Sequence, residues 1–165
     1  MDILKHYLPL CWFKANPLEL TRSVGFFKQN LWIYFVVEFF LQTNMTDDPF
    51  ESFVEVGLET VLTLLLVFIL LYLNKNLYAF MQVATAILFC SNAVAFVVLP
   101  ALVWMTVTED VLSYYVLGLL IFWDYTLLAY ILRRVLAINI PACLVLALFY
   151  FAVTYYGAFA LGQLI

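Results

Sequence analysis

The stretch from Leu112 to Arg134 (LSYYVLGLLIFWDYTLLAYILRR) constrains the fold more than any other part of the chain. As a helix rising about 1.5 Å per residue, it matches the roughly 30 Å hydrocarbon core of a bilayer. Arg133 and Arg134 mark one end, Glu109 and Asp110 precede the other, and one carboxylate, Asp124, sits near the middle. The composition agrees with a membrane-embedded segment. Of 165 residues, 67% are hydrophobic and 11% charged, with a mean hydropathy of +1.06. Soluble domains run at about 45–50% apolar and about 25% charged. A soluble globule of this length still needs a polar surface, which 7 basic and 11 acidic side chains do not supply. No basic patch is interleaved with aromatics, so nucleic acid is not an expected partner.

Four more apolar runs accompany this one. Together they predict an all-α, polytopic membrane helix bundle with five transmembrane helices, at about residues 24–43, 53–73, 77–106, 112–132 and 140–164. The first is the least apolar, because Lys28, Gln29 and Asn30 fall in its first turns. Pro100 is expected to kink the third, since proline removes a helical hydrogen bond. Runs such as VLTLLLVFILLYL lack the alternation of a transmembrane barrel strand, so helices are favoured. Residues 1–23 mix Leu, Tyr, Trp and Phe with Lys5, His6, Lys14 and Arg22. Pro9, Trp12 and Lys14 interrupt the apolar run that a signal peptide needs. The segment reads as amphipathic and interfacial, with aromatics at headgroup depth, followed by a single domain over 24–165. Asn16-Pro17 breaks it, and a second short helix is expected from Leu18.

The polar breaks between spans alternate in sign. Asp47, Asp48 and Glu51 fall in the first, Lys75 in the second, Glu109 and Asp110 in the third, Arg133 and Arg134 in the fourth. All 7 Lys and Arg therefore share one side with the N-terminus, which predicts a cytoplasmic N-terminus and an outside C-terminus. Asn44-Met45-Thr46 forms an N-x-T triplet on the outer side, close to the bilayer. The short second and fourth breaks predict antiparallel hairpins of spans two and three, and of four and five. No inverted repeat of the transporter kind is evident.

Asp124 is the first candidate for chemistry, because an ionisable group at mid-bilayer costs at least about 2.5–3.5 kcal/mol and normally faces the bundle interior. Asn92 lies at matching depth in the third span, which predicts an Asn92–Asp124 hydrogen bond. Such a contact is a structural tether, or else Asp124 is a proton-handling or substrate-binding acid. Glu55 and Glu59, four residues apart, share one face of the second span, and Glu38 lies at comparable depth in the first. This group suits a hard cation or a basic partner, but with no histidine nearby it is a poor metal site. A purely structural account is open too: Glu55 favours the helix N-terminus, and Glu59 faces a watery dent. The outer acids carry no glycosidase-type motif.

The remaining motifs point away from catalysis. His6 is the sole histidine and falls in the interfacial segment, where a headgroup contact is expected. No H-E-x-x-H, nucleophile–base pair or Gly-rich phosphate loop occurs. No cofactor or metal is expected. Cys11, Cys90 and Cys143 are assigned to different depths as apolar fillers. The few glycines leave no GxxxG face. The aromatic clusters Trp32, Tyr34, Phe35, Phe39, Phe40 and Phe149, Tyr150, Phe151, Tyr155, Tyr156 read as lipid- or partner-facing surface.

Two stretches carry a family resemblance. NKNLYAFMQVATAILFCSNAVAFVVLPAL (74–102) is similar to the short polar turn, phenylalanine-glutamine segment and long proline-ended helix of the Yip1-type membrane domain. IFWDYTLLAYILRRVLAINIPACLVLALFYF (121–151) resembles that family's penultimate helix, short basic loop and last helix. The chain lacks the cytosolic N-terminal motif of eukaryotic members, and its layout matches small bacterial inner-membrane ones. The resemblance implies a five-helix, non-enzymatic membrane protein acting through partners, with no catalytic residues to carry over. The functional expectation is a scaffold or accessory subunit, contacting lipids and other transmembrane chains or a second copy of itself. Asp124, Asn92, Glu38, Glu55 and Glu59 would supply its polar contacts. The alternative is a small transporter or a proton or cation pathway component built on Asp124 and the outer glutamates.

Overall fold

The computed structural model describes residues 2–44, 48–108 and 110–164. Among them there is no strand. The helices are α1 (Asp2–Tyr7), α2 (Val24–Thr43), α3 (Pro49–Leu73), α4 (Phe80–Thr108), α5 (Val111–Leu136), α6 (Ile140–Phe151) and α7 (Gly157–Gly162). Five stretches are long and apolar enough to cross a membrane: α2, α3, Leu77–Thr108, α5 and Ile140–Gly162. The protein is therefore a multi-pass membrane helix bundle. Met45, Thr46 and Asp47, with most of the N-x-T triplet, lie outside the described residues, as does Glu109.

Four of the five spans start where a short polar side chain takes over an orphan backbone amide, the exception being the one at Leu77. Ser23 accepts from Phe26 N, Asp48 from Phe50 N at 2.8 Å, Asp110 from Leu112 N at 3.1 Å and Asn139 from Ala142 N at 3.1 Å. The Asp48 cap with Pro49 behind it starts α3 one turn earlier than hydropathy alone predicts, which brings Glu51 into the helix. The sign alternation gives the bundle an acidic end and a basic end. At the basic end the reversals after α3 and α5 use left-handed residues that are not glycine, Lys75 (φ 57°) and Ala137 (φ 53°).

α4 is the central helix. It is buried without interruption from Val83 to Cys90, as expected for a helix apolar on all sides. Its Ala84, Thr85 and Ala86 allow close approach by neighbours. It packs chiefly on α2 and α5, whereas α3 packs chiefly on α7 and α2. The expected tight α3–α4 hairpin is thus loose: the turn fixes only that the two ends meet, and packing decides where the helices go next. The hairpin of spans four and five does form, and Tyr125 donates to Leu144 O at 2.7 Å across it. Pro100 lies within α4 without ending it. The fifth span contains a π turn at Ala152–Tyr156, a feature that hydropathy does not reveal.

The N-terminal segment does not simply lie on the membrane. Tyr7, Leu10 and Leu20 are buried against the bundle, while Trp12 and Phe13 stand exposed. Tyr130 donates to Ala15 O at 3.0 Å, and Gln82 donates to Leu18 O and Leu20 O at 3.2 and 2.7 Å. Where a second short helix is expected from Leu18, the chain forms a 3₁₀ turn over Pro17–Glu19. Two cysteines expected at different depths meet here, with Cys11 Sγ 3.9 Å from Cys90 Sγ.

A left-handed alanine costs about 1–2 kcal/mol, partly offset in glycine by its extra unfolded-state freedom of about 0.5–1 kcal/mol. Ala137 is exposed, so Ala137→Gly adds no steric conflict. Detergent-unfolding titrations are expected to show Ala137→Gly stabilised by up to about 1 kcal/mol, against destabilisation for the same change at Ala86.

Candidate functional site

Two stripes of polar residues face each other inside the bundle. On α2, Asn30, Tyr34, Glu38 and Gln42 recur every fourth residue. On the antiparallel α3, Glu51, Glu55, Glu59 and Thr63 do the same. Four residues carry a helix through slightly more than one turn, so each set forms one continuous, gently drifting face. α2 is amphipathic with its polar side inward: Asn30 and Tyr34 are buried, whereas Trp32, Val36 and Phe40 are exposed. This is the arrangement required in a solvent that cannot hydrogen-bond.

The stripes are joined by specific contacts. At the acidic end Gln163 donates to Glu51 Oε1 at 2.9 Å. One turn deeper Gln42 donates to Glu55 Oε2, while Glu55 Oε1 is buried with no hydrogen-bond partner. Deeper still, the Tyr34 hydroxyl donates to Glu59 Oε1 at 2.5 Å. Glu55 and Glu59 are 3% and 6% exposed, so both carboxyl groups belong to the interior and not to a lipid-facing surface. Glu38 is half-buried, within electrostatic reach of Glu59 and Asp124, and Glu59 is likewise in reach of Asp124. Tyr150 lies beside the buried hydroxyl of Thr63. No Lys or Arg occurs from Gln29 to Asn74, so Glu51, Glu55 and Glu59 have no basic side chain on α3, while Lys28 of α2 and Arg133 and Arg134 of α5 lie at the basic ends of their helices, nine or more residues from Glu38 and Asp124.

The expected Asn92–Asp124 hydrogen bond is not formed. Asn92 turns instead to α2 and donates to Asn30 O at 3.0 Å, and Asn30 in turn donates to Phe26 O at 2.8 Å. The neighbouring Ser91 faces α5 and donates to Asp124 at 3.5 Å, a long contact. Consecutive helical residues point about 100° apart, so one neighbour of the pair faces each flanking helix. Asp124 is nevertheless within electrostatic reach of Glu38 and Glu59, and Glu55 sits one turn of α3 beyond Glu59 toward the acidic end. Beside Asn30 and Asn92 a cavity of about 760 Å³ opens between α2 and α4, with Lys28 on its lining. Among the described residues, no three His, Cys, Asp or Glu side chains gather closely enough to hold a metal ion.

The sequence alone pairs Glu55 with Glu59, but it places Glu51 in a loop and Tyr34 among lipid- or partner-facing aromatics, and gives Asn30 and Gln42 no polar role. The four-residue recurrence was the available signal. It was hidden in α2 by the surrounding aromatics, of which Tyr34 and Tyr150 are buried and not lipid-facing.

Hydrogen bonds between transmembrane helices contribute about 0.6 kcal/mol on average and up to about 1.7 kcal/mol. Tyr34–Glu59, short and buried, is expected at the upper end of that range. A double-mutant cycle of Tyr34→Phe and Glu59→Gln, followed by unfolding in mixed micelles, is expected to give that coupling energy. A cycle of Tyr34→Phe with Glu51→Gln is expected to give none. No family model matches this chain, and neither does any curated protein or solved structure.

Proposed function

We propose that this protein is a small, non-enzymatic proton-pathway component of a membrane, with Glu51, Glu55, Glu59 and Asp124 as successive proton-holding groups. The observation that carries this reading is the acidic stripe of α3, Glu51, Glu55 and Glu59 on a helix without a basic side chain, with Glu59 and Glu38 in electrostatic reach of Asp124. A carboxylate in an apolar interior without a cationic partner is neutralised by a proton or by a bound cation. Glu51, Glu55 and Glu59 are spread along α3 and Asp124 lies on α5, each with its own donor, which suits stepwise proton transfer better than chelation. Gln42, Tyr34 and Ser91 each supply a hydrogen bond that holds one carboxyl group in line.

The same proposal includes an N-terminus in the cytoplasm of a bacterial inner membrane, which the one-sided Lys and Arg support. A Yip1-type layout is supported by the five-span order and the short basic-end turns. The accessory-subunit reading keeps one support, that Asp124 is only half-buried and remains open to a partner helix. The inward turn of Glu55 and Glu59 takes those two acids away from it.

The test is proton flux into liposomes containing the purified protein and a trapped pH dye, driven by a potassium diffusion potential. Wild type is expected to acidify the lumen faster than protein-free vesicles. Glu59→Gln and Asp124→Asn are expected to fall to that background, and Glu51→Gln, at the solvated end, to lose less. Wild type at background sinks the pathway reading. A stoichiometric partner in gentle detergent that is lost in Asp124→Leu would put the accessory-subunit reading in its place.

A further inference from the structure

We propose that Cys11 and Cys90 form a peroxide-sensitive dithiol site, whose oxidation pins the N-terminal segment to the centre of the bundle. The two sulfur atoms lie 3.9 Å apart although the residues are 79 positions apart in sequence. All three cysteines of the chain are free, and Cys143 makes a different contact, donating to Ile140 O at 3.1 Å. A disulfide needs the sulfurs at about 2.05 Å, so one of them must advance by about 2 Å.

The backbone on the Cys11 side can make that move. Cys11 belongs to a short 3₁₀ turn, Leu8–Trp12, which ends at a left-handed Phe13 and joins no span directly. Cys90 is held in the fully buried stretch of α4. Cys11 is also the more reactive of the two. A hydrogen bond from the Cys90 S–H to the Cys11 sulfur holds the Cys11 thiol below the ordinary range, against the opposing effects of burial and of the Asp124 carboxylate. Lowered thiol pKa is what makes a cysteine a nucleophile. Cys11 also lies at the rim, at 9% exposure next to the exposed Trp12, whereas Cys90 is 2% exposed.

The chemistry balances with a hydroperoxide as the oxidant. The Cys11 thiolate attacks the peroxide O–O bond, giving a sulfenic acid at Cys11 and releasing hydroxide. Cys90 sulfur then attacks the sulfenic sulfur, the S–O bond breaks, and the Cys90 proton leaves with the hydroxyl group as water. Two thiols are oxidised, one peroxide is reduced, and a thiol such as dithiothreitol reverses the step.

The site ties together the two parts of the structure that are otherwise held by polar contacts and rings. Trp12 packs on Trp123 with ring centroids 5.5 Å apart, and Phe13 on Tyr130 at 5.3 Å. Trp123 directly precedes Asp124, so the closed disulfide fixes the segment beside the basic-end flank of the acidic line.

The experiment treats the full-length protein in detergent with hydrogen peroxide, denatures it, alkylates free thiols and identifies linked peptides by mass spectrometry. Two of the 3 cysteines are expected to be lost to alkylation, with a Cys11–Cys90 linked peptide that dithiothreitol releases. After trypsin cuts at Lys14, the N-terminal fragment is expected to stay attached until reduction. Cys11→Ser and Cys90→Ser, both near-isosteric, are each expected to abolish the link, and Cys143→Ser to leave it intact. Full alkylation of wild type after peroxide, or a link that runs to Cys143 or between two chains, would overturn the proposal.

Discussion

The constraint on which the rest of the structure depends is that a bilayer offers no hydrogen bonds to the polar groups of α2 and α3. Those groups must satisfy one another, and the Tyr34–Glu59 contact is where they do so most directly. Once Glu59 and Glu55 face inward on α3, α2 must present Tyr34, Glu38 and Gln42 toward them, and its aromatic residues are left for lipid. The inverted amphipathicity of α2 follows from this and explains how a span with Lys28, Gln29 and Asn30 in its first turns is held in the bundle. Lys28 stays exposed at the basic end, while Asn30 is buried and ties α2 to α4 through Asn92.

Much of the fold was legible in the sequence because its signals are additive. Long apolar runs, short breaks and alternating loop charge each sum over many residues, so no single side chain can mislead. The five spans and most of their boundaries follow from that. The site was legible only in part, because it depends on pairwise geometry. Asp124, Glu38, Glu55 and Glu59 were evident as acids out of place in apolar runs. Depth matching suggested Asn92 as the partner of Asp124, but depth says nothing about azimuth, and the 100° between Ser91 and Asn92 exchanges their roles. Tyr34 was hidden for another reason, since a tyrosine among phenylalanines reads as lipid surface until the facing carboxylate is known.

The N-terminal segment illustrates the same limit. Its composition is that of an interfacial helix, yet Tyr7 and Leu10 are almost wholly enclosed and its polypeptide carbonyls accept from Tyr130 and Gln82. Backbone carbonyls that no helix satisfies are costly near a membrane. Side chains from α4 and α5 meet that need, and the segment becomes part of the basic end of the bundle in place of a float on its surface.

The π turn in the fifth span bears on how the chain tolerates insertions and deletions. A π turn holds one residue more than the α-helical turn it replaces, so everything beyond it is rotated by about one residue step. Beyond it lie Gly157, where an added Cβ would meet Leu62 Cδ1 at 3.4 Å, and Gly162, where it would meet Glu55 Cγ at 3.0 Å. The register that presents these two glycines to α3 therefore depends on the extra residue. A single-residue deletion within 152–156 is readily absorbed by the helix as a hydrogen-bonded structure. It would nonetheless swing larger side chains into the positions against α3, and push the last turn away from the acids at the mouth of the bundle.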